Sequence, residues 1–277
     1  MRKVAAAAAL AGLFGLLEPA LVLGHGPFHE RIASFTEAVE KNPSDPQLRF
    51  DLANLHAQHG DLRLALKQLD RVDVLAPGKF LTDLLRGEAY LVARDFKKAK
   101  EALDRQLVTH PENGRALLTR ARVERQLGDD SACLADYREA LKRTAAPEPD
   151  LMQEVADALA SHGFQDEAAQ VLAAGIEKLG PIPSLVLRAV DLEVETKNFE
   201  GALRRIEQAR HDAPRPEPWM ARRAAVLAQA SRIEESRAAW KLLLDRLDSL
   251  PDHERTSRAM TKLRKEAGEA LASLKSS

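Results

Sequence analysis

Residues 59–77 read HGDLRLALKQLDRVDVLAP. Glycine and aspartate stand at the entry, leucines, alanines and valines recur through the middle at helical spacing, and a proline closes the run. Glycine takes a positive φ without steric cost and so ends a preceding helix, while proline lacks the N–H that would continue one. The stretch therefore reads as a helix entered from a tight turn after Gly60 and stopped before Pro77.

The same punctuation recurs along the chain. Pro43, Pro77 and Pro111 stand 34 residues apart, Ala65 to Ala99 repeats that step, and Gly60, Arg94 and Gly128 mark one turn position. Before each turn a helix carries a small residue, Ala53, Gly87, Ala121 or Ala156, where two backbones must approach closely. After it a second helix buries an alanine, Ala65, Ala99, Ala168 or Ala202, against the first. A fixed period of this length, with a turn in mid-repeat and a proline at its end, signals stacked helical hairpins that bury a continuous core only together.

These residues resemble the tetratricopeptide repeat family. The small-residue, turn, alanine and proline positions fit six successive units over roughly 46–250. Residues 25–45 then form an N-terminal arm and lone capping helix, and 251–277 a closing helix and tail. The resemblance implies an all-α, right-handed α-solenoid of antiparallel helix pairs with capped ends. Two departures stand out. The family's early aromatic appears only as Trp219, shifted by one, and its leucine position is held by Arg86, Arg120 and Arg223. An arginine stem can cover an interface while its head reaches water, so these arginines read as tolerated.

Composition agrees with such a core and narrows the function. Of 277 residues 45% are hydrophobic but only 4% aromatic, which suits close alanine and leucine packing. Lysine and arginine number 41 against 42 acidic residues, so no bulk field favours nucleic acid or an anionic membrane. Cys133 is the single cysteine, which excludes an internal disulfide and reads as a small residue in a helix interface.

The opening has the layout of a signal peptide. Arg2 and Lys3 precede an uncharged apolar run from Val4 to Leu17, and Glu18 and Pro19 interrupt it before it reaches the ~20 residues of a spanning helix. Cleavage after residue 24 would make His25 the first mature residue, with a cut after Ala20 as the other candidate. The expected location is the bacterial periplasm or the exterior, with no membrane insertion after cleavage and a membrane anchor if the leader is retained.

The family resemblance implies a groove lined by the first helix of each unit, which holds a protein or peptide client. Carried over position by position, it assigns Phe50, Asn54, Leu84 and Glu88, then Arg115, Leu118, Arg122 and Arg125, then Asp157 and Asp191. Planar guanidinium forks at helical spacing would suit a partner's carboxylates. The alternative is a solvated face neutralised by neighbours such as Glu88 and Asp157. Self-association is left open.

No catalytic signature accompanies the repeats. HERIA, residues 29–33, begins like a zinc-protease motif but has Ala33 where the second histidine belongs. No phosphate loop or nucleophile elbow occurs, and no enzyme activity or resident cofactor is expected. Histidine is locally enriched, however: His25, His29, His56 and His59 fall within 35 residues. An antiparallel hairpin turning near Pro43 would bring His29 level with His59, with His56 a turn away and His25 nearby. Neutral imidazoles so gathered suit copper or zinc, so metal binding or delivery is the second function carried forward.

Overall fold

A computed structural model describes residues 26–274. The leader read at 1–24, and His25 with it, lie outside the described residues. Among the described residues there are fifteen helices and no strand, which is the all-α architecture read from the repeat. The chain divides into two compact units, Met1–Thr109 and His110–Ser277.

The first unit opens with α1 (Gly26–Lys41), followed by two helix pairs, α2 (Pro46–His59) with α3 (Leu62–Leu75) and α4 (Thr82–Val92) with α5 (Phe96–Thr109). Asp45 caps α2 by accepting from the N–H groups of Gln47 and Leu48, and Pro46 follows it at the first helical position, where a missing donor costs nothing. Ala53, Ala65, Leu69 and Leu85 close the core between α2, α3 and α4. Gly87 permits the α4–α5 crossing: a Cβ there would stand 2.5 Å from the Leu103 side chain, which is itself fully buried.

The second unit holds four more pairs: α6 (Gly114–Leu127) with α7 (Asp130–Arg143), α8 (Pro149–Ser161) with α9 (Gln165–Leu179), α10 (Pro183–Glu195) with α11 (Phe199–Asp212), and α12 (Glu217–Gln229) with α13 (Ile233–Asp248). A short α14 (Asp252–Arg255) leads into α15 (Arg258–Ser273). Here α15 packs on α12 and α13, placing Met260 and Ala267 against the last repeat's apolar face. Tyr137, Leu159, Leu172 and Leu185 are fully buried in one core cluster, Ile206, Leu227 and Leu243 in the next.

The repeat is written in the backbone as well as in the composition. Gly60, Arg94, Gly128, Gly163, Lys197 and Ser231 all adopt positive φ at the turn inside each pair. Only three of these six are glycine. At Arg94, Lys197 and Ser231 the packing of the two helices imposes a left-handed conformation that their side chains disfavour. Cys133 is buried, and burial pushes its thiol up to about 11, so it is an inert packing residue. No helix among the described residues is long and apolar enough to cross a membrane.

Candidate functional site

The first helices of the first unit give two of their four assigned groove residues, Phe50 and Leu84, to packing. Phe50 meets Phe80 with ring centroids 5.2 Å apart. Asn54 is half-buried and accepts a hydrogen bond from Gln58. Leu84 is buried at 5% exposure and belongs to the core, a correction to its assignment as a lining residue. Leu84 and Leu85 are buried side by side on α4, between the partly buried Asp83 and Arg86. Glu88 remains half-exposed on α4.

In the second unit the first helices are tied together by arginine and carboxylate. The Arg122 guanidinium on α6 donates to both oxygens of Glu154 on α8, at 2.7 to 3.2 Å. Arg125 comes within 3.9 Å of the same carboxylate, and the Tyr137 hydroxyl donates to it at 2.7 Å. Arg188 on α10 pairs back to Asp157 on α8, and Arg222 on α12 pairs back to Asp191 on α10. The stripe read as a basic patch followed by an acidic stretch is therefore a ladder of neutralised pairs. Arg115 stays exposed at the start of α6, and Leu118 packs half-buried against the α7–α8 core.

Burial alone would raise the Glu154 carboxyl, but hydrogen bonds from Arg122 and Tyr137 outweigh it and hold the group below the usual carboxylate range. Tyr137 responds in the opposite sense, its phenol pushed up by burial and by donation to Glu154. Glu154 is thus the centre of this face: one carboxylate accepts from a guanidinium on α6 and a phenol on α7. Its role escaped sequence reading, although its offset of 32 residues from Arg122 is a repeat less half a turn and could have been looked for.

The arginines at the family's leucine position also find carboxylates rather than water alone. Arg86 bonds Asp70 at 2.8 Å and Asp73 at 2.7 Å on the preceding second helix. Arg120 bonds Asp136 at 2.6 Å on the following one and lies 3.8 Å from Glu124. Both side chains are largely covered, at 15% and 22% exposure, and their heads are engaged. Arg223 makes no hydrogen bond or ion pair among the described residues.

At the other end of the chain, α1 and α2 bring histidines together. His29 and His59 meet edge to face with ring centroids 4.8 Å apart, and Phe28 stacks on His59 at 5.8 Å. The Nδ1 of His59 lies 2.9 Å from Oδ2 of Asp61, and since an ionised carboxylate only accepts, His59 donates there. That bond holds Asp61 below the usual carboxylate range against slight desolvation, with a smaller contribution from His56. His56 is buried, its Nδ1 is 3.5 Å from the same oxygen, and that atom has no hydrogen-bond partner. Among the described residues no three histidine, cysteine or acidic side chains are arranged to hold a metal ion. His25, the fourth histidine of the set, lies outside them.

Comparison with known proteins follows the same lines. The family model for the tetratricopeptide repeat matches residues 25–79 and 84–148. Curated proteins yield no match to this chain. Among solved structures, the C-terminal part of a TPR repeat-containing protein from Cytophaga hutchinsonii is similar with a TM-score of 0.61 at 13% identity, covering 86% of this chain and 94% of that one. A thermophilic TPR protein from Thermus thermophilus gives a TM-score of 0.50 at 22% identity, over 60% of this chain and 91% of that one. At such identities the likeness is one of fold.

Proposed function

From the premise that the chain belongs to the tetratricopeptide repeat family, we propose that it is a non-catalytic scaffold holding a partner polypeptide against the first helices of its second unit. The observation that carries this reading is the alternating ladder Arg122–Glu154, Asp157–Arg188 and Asp191–Arg222. Its members are half-exposed, so each pair keeps outward-facing N–H or carboxylate positions while it fixes the spacing of the helices. Such a ladder offers donors and acceptors in turn, and it suits an extended segment of mixed charge better than a purely acidic one.

A photo-crosslinking amino acid placed at Leu118 or Gln153 on this face should capture a client. The same group at Ala169, exposed on α9 among the second helices and outside both clefts, should capture little, and combined alanine substitutions at Arg115, Arg122 and Arg125 should lower the first-helix yield. Equal capture from both faces, with no effect of the arginine changes, would remove the assignment.

The leader-like residues 1–24 support export to the periplasm or the exterior. N-terminal sequencing of the chain recovered from the exported fraction tests this, and an uncleaved chain in the cytosol would refute it. A second reading, copper or zinc binding at the N-terminal hairpin, draws on the Asp61–His59 bond. A carboxylate on Nδ1 fixes the tautomer that leaves Nε2 able to ligate, with His29 at its edge. Because the described residues supply no set of three ligands, this reading requires His25. Zinc or copper affinity unchanged by replacing His25 and His59 with alanine would end it.

A further inference from the structure

The second helices of the last two repeats enclose a cleft of about 480 Å³ between α11 and α13, with α12 behind it. Leu203 and Met220 form its floor, and Leu242 stands at its rim with 60% of its surface exposed. Four arginines and two glutamates line it. Arg210 is held by Glu207, and Arg232 by Glu200 together with Glu235 just outside. Arg204 and Arg223 make no hydrogen bond or ion pair among the described residues, so two guanidinium groups border an apolar floor without a bonded carboxylate.

The repeat explains why Arg223 lacks a partner. Arg86 takes Asp70 and Asp73, which precede it by 16 and 13 residues. The same offsets before Arg223 lead to Glu207, which Arg210 already occupies, and to Arg210 itself. Arg120 takes Asp136, which follows it by 16. The same offset after Arg223 leads to Ala239, a wall of the cleft. Arg223 therefore acts on Glu207 and Glu235 through space alone, and it faces a cavity where its two counterparts face aspartates. The corresponding cleft between α7 and α9, of about 450 Å³, is closed to this chemistry at its arginine: Arg138 is bidentate to Glu167 at 2.7 Å and lies over the Phe164 ring.

We infer that the α11–α13 cleft, to which α12 contributes Met220 and Arg223, is a second docking site beside the ladder for an acidic amphipathic peptide segment of a partner protein. It rests on the scaffold reading only in taking that partner to be a protein. A glutamate or aspartate of the segment meets the guanidinium forks of Arg204 and Arg223, and its aliphatic side chains meet Leu203, Met220 and Leu242. Charge complementarity selects this occupant, because four arginines against two glutamates, two of the arginines without a bonded carboxylate, disfavour basic segments, and the apolar floor gives purely polar ones little to bury.

Fluorescence anisotropy of the full chain with a short labelled peptide of alternating glutamate and leucine tests the site, against glutamine–leucine and lysine–leucine peptides of equal length. The acidic peptide should bind saturably, and both controls should bind at least about tenfold more weakly. The double variant Arg204→Ala, Arg223→Ala should lose about tenfold or more in affinity. Ala239→Asp, which hands Arg223 the carboxylate that Arg120 has, should do the same with both arginines in place; if that variant does not fold, the double variant decides alone. Substituting Arg115, Arg122 and Arg125 by alanine should leave this binding unchanged. The inference is overturned by absence of saturable binding, by equal binding of the three peptides, or by undiminished binding to the double variant. Loss only in the Arg115, Arg122 and Arg125 variant would overturn it too, while leaving the scaffold reading intact, since the peptide would then sit on the first helices. Self-association abolished by the double variant would also overturn it, by making the cleft an interface between copies.

Discussion

Arg122, Arg188 and Arg222 on the first helices of the second unit each reach a carboxylate one repeat away, whereas Arg204 of α11 and Arg223 of α12, which face the α11–α13 cleft, bond none. Residue type does not separate the two sets. Register does: partners on the first helices lie 31 or 32 residues off, so a displacement of half a turn to nearly one turn within the period sets donor against acceptor across the stack. In the cleft the same logic meets Ala239 and an already occupied Glu207. In a repeat protein a charge is structural when the neighbouring repeat supplies its complement and available when it does not.

If that distinction is physical, removing an engaged arginine should cost far more than removing an unengaged one. The largest effect is expected for Arg120→Ala. Asp136 is buried at 7% exposure and would lose its bidentate partner, and Glu124, at 2% exposure, would lose the guanidinium 3.8 Å away. Stranding buried carboxylates in this way should cost about 3 kcal/mol or more, read by denaturant titration. A cost under ~1 kcal/mol would show that the two carboxylates find water or protons instead, and would break the contrast.

Glu154→Ala comes next, at about 2–3 kcal/mol, because it leaves the Tyr137 hydroxyl and Arg122 without their common acceptor. The pH dependence has a definite sign. The folded carboxyl sits below its ordinary value near 4.5, so its contribution is fully present above that value and is lost as pH falls through the depressed one. Unfolding midpoints of the native chain should therefore drop on acidification more steeply than those of Glu154→Gln. Parallel slopes would mean that Glu154 is not the acceptor the geometry makes it.

The fold was readable because proline, glycine and alanine keep a 34-residue step that only stacked hairpins explain. Half of the turn was not readable. Arg94, Lys197 and Ser231 carry no glycine signature, and their left-handed backbone comes from the helices they join. The candidate face was legible as a stripe but not as a network. Spacing told that Arg122 and Arg125 share a face, yet their neutralisation depends on Glu154, a repeat away and outside the family's groove positions. Leu84 is buried beside Leu85, so the family position alone did not place that side chain on an open face. The histidines were placed level across the hairpin from loop length alone, and His29 and His59 do meet; the Asp61 that orders them follows the helix, where no periodic argument reaches.

Two smaller effects sharpen the contrast at a single repeat position. Arg86→Ala should cost about 1 kcal/mol, because its aspartates Asp70 and Asp73 are substantially exposed and water replaces the lost bonds. Arg223→Ala should change stability by no more than ~0.5 kcal/mol, since no bonded carboxylate is stranded and the change falls on a half-exposed side chain beside a cavity. Together with Arg120 these give three arginines at one position of the repeat with costs graded by the burial of their partners. A third measurement separates partner burial from the packing of the arginine stem, which all three share. Replacing each by leucine, the family's own residue, restores apolar cover and removes the charge. Arg223→Leu should then be neutral or mildly stabilising, while Arg120→Leu should remain costly because buried Asp136 still loses its bidentate partner. Equal costs for the two leucine variants would mean that the stem, not the salt link, sets the energetics at this position, and the contrast between ladder and cleft would lose its basis.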